Sequence, residues 1–191
     1  MQSVVPARWR YEGFDHQFRA GRNGGDQALG YTFDASWKPR LAFQYDLSSG
    51  DTDSTDGHHN RYDTLFGALR FGHGPTGIFG AFARGNIHSP GVRLFLKPSK
   101  ATKLMFAHRL CWLASKTDAW TTSGLRDVTG TSGRFIGNQI EGRLRWEPYP
   151  SNLRIETGAA HLFAGEFIRN APNNTGQGSS SYGYRQATFT F

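Results

Sequence analysis

Along most of this chain apolar side chains recur at every second position, and charged residues fill many of the places between them. Leu41, Phe43, Tyr45 and Leu47 alternate with Arg40, Ala42, Gln44 and Asp46. Val92, Leu94 and Leu96 alternate with Arg93, Phe95 and Lys97. Ile136, Ile140, Leu144 and Trp146 alternate with Gln139, Glu141, Arg143, Arg145 and Glu147. Leu153, Ile155, Thr157, Ala159 and Phe163 alternate with Arg154, Glu156, Gly158 and Ala160. Two further runs set Leu29, Tyr31, Phe33, Ala35 and Trp37 against Gly30, Thr32, Asp34 and Ser36, and Ala187, Phe189 and Phe191 against Gln186, Thr188 and Thr190. Successive side chains of a strand point to opposite sides, so a period of two reads as strand and not helix. Each run therefore has one greasy face and one polar or ionic face.

The connections are of two kinds. Lys38-Pro39, Lys97-Pro98-Ser99-Lys100 and Pro148-Tyr149-Pro150-Ser151 read as tight turns. Long stretches rich in Gly, Ser, Thr, Asn and Asp fall at about 49–62, 116–132 and 165–180. Short turns at one end of a sheet and long loops at the other are the asymmetry of outer-membrane barrels. Counted back from Phe191, the short turns lie on the side where the chain ends. A segment from Tyr62 to Pro90 then holds an even number of crossings: either a hairpin at about 64–71 and 77–85, or none, with the segment folded into the lumen. With a first strand near 8–20, the expected count is about 8–10 strands in a single domain, 1–191.

No apolar stretch approaches the eighteen or so residues of a helical span, and mean hydropathy is −0.55. A barrel survives that test because its lipid face uses every second residue. The net charge of +7 and a pI near 9.9 point to a polyanionic partner: nucleic acid, lipopolysaccharide or acidic polysaccharide. Met1-Gln-Ser-Val-Val-Pro6 lacks the charged and apolar regions of a secretory leader. The expectation is a soluble cytoplasmic protein, a mature chain with an added Met, or a fragment of something longer.

Several motifs give way to plainer readings. Gly72-His-Gly-Pro-Thr-Gly77 spells G-x-G-x-x-G, but a proline sits in it and no amphipathic helix follows, so it reads as a turn. Asp51-Thr-Asp-Ser-Thr-Asp-Gly57 resembles a calcium loop with its glycine one place late and no closing glutamate, so ordinary loop chemistry is expected. His58-His59 reads as a solvated pair, and the single Cys111 as a structural thiol; no metal or other cofactor is expected. His161 falls among apolar neighbours, where a membrane hydrolase would need a serine and an asparagine to converge on it. Trp37, Trp112, Trp146, Tyr149, Tyr182 and Tyr184 fall near strand ends and read as interfacial girdle residues.

The closing aromatic strand through Phe191 resembles the signal that the barrel assembly machinery of the bacterial outer membrane reads. A denser resemblance begins with Ser49-Gly-Asp51, Asp56 and Tyr62-Asp-Thr-Leu-Phe-Gly67. It continues through Gly74-Pro-Thr-Gly-Ile-Phe-Gly80, Asn86-Ile-His-Ser-Pro-Gly-Val-Arg93 and Lys97-Pro-Ser-Lys100. Ile136-Gly-Asn-Gln-Ile-Glu-Gly-Arg143, Phe163-Ala-Gly-Glu-Phe167, Ala171-Pro-Asn-Asn174 and Tyr182-Gly-Tyr184 complete it. From about residue 26 onward the chain resembles the alginate export porin family. The resemblance implies an all-β, antiparallel up-and-down transmembrane barrel of eighteen strands, of which this chain is the C-terminal half. It also implies a bacterial outer-membrane location among lipid and lipopolysaccharide, and a pore for an anionic polysaccharide; neither catalysis nor nucleic acid is part of it.

On that reading the pore-lining set is Arg40, Arg93, Lys97, Arg109, Arg143, Arg145, Arg154 and Arg185, tempered by Glu141, Glu147, Glu156, Asp34 and Asp46. Guanidinium forks match carboxylates bidentately, and acidic neighbours keep such sites weak enough to release a passing polymer. The competing reading is a soluble or peripheral basic β-protein that binds acidic glycan or nucleic acid. The two differ in which face of the strands is buried.

Overall fold

The computed structural model describes residues 5–11, 13–21, 24–53, 56–62, 82–176 and 178–191, with the side chains of 5–11 and 17–21 outside that description. The strands are β1 (Val5–Tyr11), β2 (Phe14–Gly21), β3 (Gly24–Thr32), β4 (Arg40–Ser48), β5 (Ile87–Leu96), β6 (Thr102–Trp112), β7 (Phe135–Tyr149), β8 (Leu153–Ala164) and β9 (Ser180–Phe189). They form one nine-stranded sheet in sequence order, every neighbour antiparallel. One short helix, α1 (Glu166–Asn170), interrupts the β8–β9 connection. No described helix is long and apolar enough to cross a membrane, which says nothing about strands.

The asymmetry of connections holds from β3 onward; β2 and β3 are joined by residues 22–23 alone, a short connection at the long-loop end. Turns at 33–39, 97–101 and 150–152 share one end with the last residues of β9, while 113–134 and the described parts of 49–86 and 165–179 lie at the other. Three local expectations are corrected. The single strand near 8–20 is a β1–β2 hairpin, reversed at Gly13, whose φ of 89° suits glycine. The run from Leu29 to Trp37 stops at Thr32, because Trp37 and Lys38 adopt left-handed backbone (φ 68° and 43°) in a wider turn. The strand ending on Phe191 ends at Phe189. The hairpin expected at about 64–71 and 77–85 falls almost wholly outside the described residues. β4 pairs directly with β5 from Arg40↔Phe95 to Ser48↔Ile87, so no strand lies between them in the sheet.

Burial separates the two faces of the sheet. On the apolar face large side chains stand exposed: Phe43 is 61% exposed, and Phe106, Ile140, Trp146 and Phe163 are open as well. Two aromatic bands border that face. At the long-loop end Tyr45, His88, Trp112 and Phe135 follow one another with centroids 5.2, 5.5 and 5.3 Å apart. At the short-turn end Phe14, Tyr31 and Phe33 do so at 4.5 and 4.8 Å. The charged face is covered where Asp26, Asp46, Arg109, Gln139 and Glu141 are buried, and opens towards the short-turn end of β8 and β9.

Its long-loop end carries the buried apolar cluster. Ile87, Cys111, Ile136 and Leu162 project from the strands, and Phe82, Leu113, Trp120, Leu125, Phe167, Ile168 and Ala171 pack on them from the connections. Burying each large side chain stabilises by about 1.5–3 kcal/mol, enough to hold the described parts of these loops against the sheet. Ile136 is a correction, since alternation had placed it with Ile140. The register shifts between Cys111 and Trp112. Opposite that shift Gly137, at φ 150°, lets the backbone pass the Phe163 carbonyl, and the extra residue turns Ile136 inward.

Candidate functional site

Three ionic groups occupy the covered face. Near the β2–β4 turns, Arg40 Nε and Nη2 donate to both oxygens of Asp15, at 2.9 and 2.7 Å. Gly30 leaves the room: a Cβ there would lie 2.4 Å from Arg40 Nη2. The same guanidinium sits 5.3 Å from the Phe95 ring centroid.

A second group lies deeper, next to the apolar cluster. Arg109, 3% exposed, donates from Nε to Glu141 at 3.0 Å and lies 3.8 Å from Asp46. Gln44 and Gln139 donate to Asp46 and Glu141 at 2.7 and 2.9 Å. Arg84, from the loop before β5, pairs with buried Asp26. A charge this far from water persists only when paired, so this layer is structural first.

The third group is the accessible one, spread over β6–β9 towards the short-turn end. Arg145 holds Glu156 at 2.8 Å, Arg143 lies 3.9 Å from the same carboxylate, and Tyr184 Oη donates to it at 2.7 Å. Arg154 and Lys103 flank Glu147 at 3.1 and 4.0 Å. These cations keep a quarter to a half of their side-chain surface in solvent.

Of the expected residues, the covered face brings together Arg40, Arg93, Arg109, Arg143, Arg145, Arg154, Asp46, Glu141, Glu147 and Glu156. Three lie elsewhere. Asp34 is exposed in the β3–β4 turn and Lys97 in the β5–β6 turn. Arg185 sits opposite Thr157, on the apolar side with Ala187 and Phe189. Tyr182 and Tyr184 are the reverse case: they pair with Ala160 and Gly158 and share the covered face, opposite the face that carries the aromatic borders. Sequence reasoning also missed Lys103, which the alternation Lys103, Met105, Ala107, Arg109 already carried. Asp15 and Arg84 lay in a hairpin and a loop that gave no usable period.

The loops are pinned by polar hubs. Asp118 accepts from Arg61 Nε at 2.8 Å, from the same guanidinium's Nη2, and from the Asp51 N–H at 2.8 Å. Burial alone would raise its pKa, but the Arg61 bond and the N–H groups of Asp51 and Ala119 prevail and hold it below the usual range. The bond to Asp118 in turn raises the Arg61 pKa. Asp127 accepts from Thr129 and Ser132, and these bonds keep it ionised well below the ordinary range. Asn86 donates to the carbonyls of Ser115 and Ala119 at 3.0 and 3.1 Å and accepts from Ser115 N–H at 2.6 Å. In the 51–57 stretch Asp51 and Asp56 accept N–H groups of Asp53 and His58; among the described residues no three His, Cys, Asp or Glu are grouped to hold a metal.

On the apolar face His161 Nδ1 meets Ser181 Oγ at 2.8 Å, while the imidazole packs on Phe163. That is two members of a hydrolase triad; no third side chain is placed to orient the imidazole among the described residues. A trough of about 680 Å³ beside it is lined by apolar Val92, Leu94, Phe106, Ile140 and Ala159 together with His108 and His161.

These features define a class: an all-β, up-and-down antiparallel sheet with an exposed apolar face, aromatic borders and a covered, ion-paired face. The chain belongs to the alginate export family, whose model it matches over residues 8–180. No curated protein matches it.

Proposed function

We propose that the sheet is a wall of an outer-membrane porin, with its apolar face in lipid and its ionic face lining a pore that passes an alginate-like anionic polysaccharide. The observation that carries this reading is the inversion of burial: the greasy face is bare and bordered by aromatic bands, while the ionic face is covered. A soluble sandwich would bury the greasy face, so the reading as a soluble glycan- or nucleic-acid-binding protein loses its footing. Family membership supplies the polymer.

Within the pore the residues divide by access. Arg143, Arg145, Arg154 and Lys103 reach solvent and would meet the polymer's carboxylates; Arg93, Arg109, Asp46 and Glu141 brace the wall. Because Glu147 and Glu156 already share these cations, a passing carboxylate exchanges one partner for another and is not trapped. Lipid and lipopolysaccharide would cover the apolar face, and the aromatic end of β9 would be offered to the assembly machinery. The rest of the circumference belongs to further strands of an eighteen-stranded barrel.

Single cysteines at Phe106, on the apolar face, and Gln186, on the covered face, test this in vesicles of outer-membrane lipid. A membrane-impermeant maleimide should modify Gln186→Cys and spare Phe106→Cys, which an apolar maleimide should reach; buried Cys111 stays silent. Polymannuronate should slow modification at 186 where a neutral glucan of equal length does not. Equal labelling of both sites would sink the membrane placement, and indifference to polymannuronate would sink the polymer.

A further inference from the structure

Tyr182 and Tyr184 add a pair of aromatic rings to the ion-paired face. Both project from β9 onto the covered face, with ring centroids 6.1 Å apart and planes only 28° from parallel. Their cross-strand neighbours on β8 are both small, Ala160 and Gly158. A Cβ on Gly158 would stand 2.5 Å from Tyr184 Cε1 and 2.9 Å from its hydroxyl oxygen. The Tyr184 ring therefore leans over Gly158, in the space that a side chain there would fill. Its hydroxyl is fixed by the 2.7 Å bond to Glu156.

Beyond Gly158, in the same row of the sheet, stands Arg143. Its contact with Glu156 is long, 3.9 Å, because Arg145 at 2.8 Å and the Tyr184 hydroxyl already satisfy that carboxylate. An aromatic ring thus adjoins a guanidinium that can turn towards a new anion without stranding its present partner.

We propose that Tyr182, Tyr184 and Arg143 form a hexuronate subsite. This deepens the polyuronate reading above and rests on it. The weakly positive C–H face of a pyranose ring packs on the negative π face of Tyr184, Tyr182 extends that floor to the next sugar, and Arg143 takes the ring's carboxylate. Neither half alone selects a uronate: the rings would accept a neutral glucan, and the arginine any anion.

The test titrates oligomannuronate, and a neutral oligoglucan of equal length, into the full chain in detergent micelles by calorimetry, with saturation-transfer NMR on the sugar. Tyr184→Leu should weaken oligomannuronate about three- to tenfold, the worth of one aromatic contact. Tyr184→Phe, which keeps the ring and drops the hydroxyl, should stay within about twofold and should retain saturation transfer to the ring C–H protons. Arg143→Gln should remove the preference for uronate over neutral sugar. Tyr182→Leu/Tyr184→Leu that binds like the unmodified chain, with Arg143→Gln still impaired, would overturn the aromatic floor and leave a site held by charge. If the unmodified chain binds no oligomannuronate, the polyuronate reading fails and the subsite with it.

Discussion

Single residues in this sheet are constrained by what lies across the strand from them, and the glycines show two different constraints. At Gly30 an added methyl would meet the tip of Arg40, a side chain that can swing away at the cost of its bond to Asp15. At Gly137 the methyl would stand 2.1 Å from the backbone carbonyl of Phe163, and φ is already 150°. Neither feature of Gly137 can relax without moving β7 against β8. Gly137→Ala should therefore destabilise by roughly 2–4 kcal/mol and Gly30→Ala by about 1 kcal/mol or less, measured by denaturant unfolding in micelles. Equal losses would mean that the bulge bends freely.

At the scale of elements, strand faces were legible wherever alternation ran unbroken, as in β4, β5 and most of β8. It failed at Ile136 because the bulge is set by pairing with β6, a partner that no local period reveals. Arg185, Tyr182 and Tyr184 were misplaced for a different reason: their parity with Gln186 and Ala187 was present in the sequence, but residue type outweighed position. The loop cluster was illegible, since Phe82, Trp120, Leu125 and Phe167 follow no period and meet only in the fold. The loops also carry a pH dependence. Asp118 and Asp127 have depressed pKa values, so their contribution is complete above the ordinary carboxylate pKa and fades as pH falls below about 4. Amide protection factors in residues 113–134, taken against the intrinsic exchange rate at each pH, should fall on acidification from pH 7 to 3, with strand amides changing less. Asp118→Asn should bring part of that loss of protection to pH 7, at a cost of about 1–2 kcal/mol. Protection factors flat with pH would show that the apolar cluster alone holds the loops.

The whole sheet poses a problem of parity. In an up-and-down sheet of nine strands the first and last run the same way, and here β1 and β9 both start at the long-loop end. Bending the sheet until they met would create a parallel seam, and a second copy set upright beside it would meet it the same way. An antiparallel seam at both edges requires an odd number of further strands, and nine would complete an eighteen-stranded barrel. In micelles holding this chain alone, β9 should behave as an open edge. Its amides bonded to β8 should resist exchange, while those pointing away exchange rapidly, giving alternate protection along 180–189. Uniform protection would mean that the edge is paired and the nine strands close by a parallel seam. Adding a polypeptide that carries the complementary strands should convert alternate protection into uniform protection and make the product resistant to protease and to heat in SDS. Open edges of this length template aggregation, so the chain alone should also associate as its concentration rises, and the complementary strands should suppress that association.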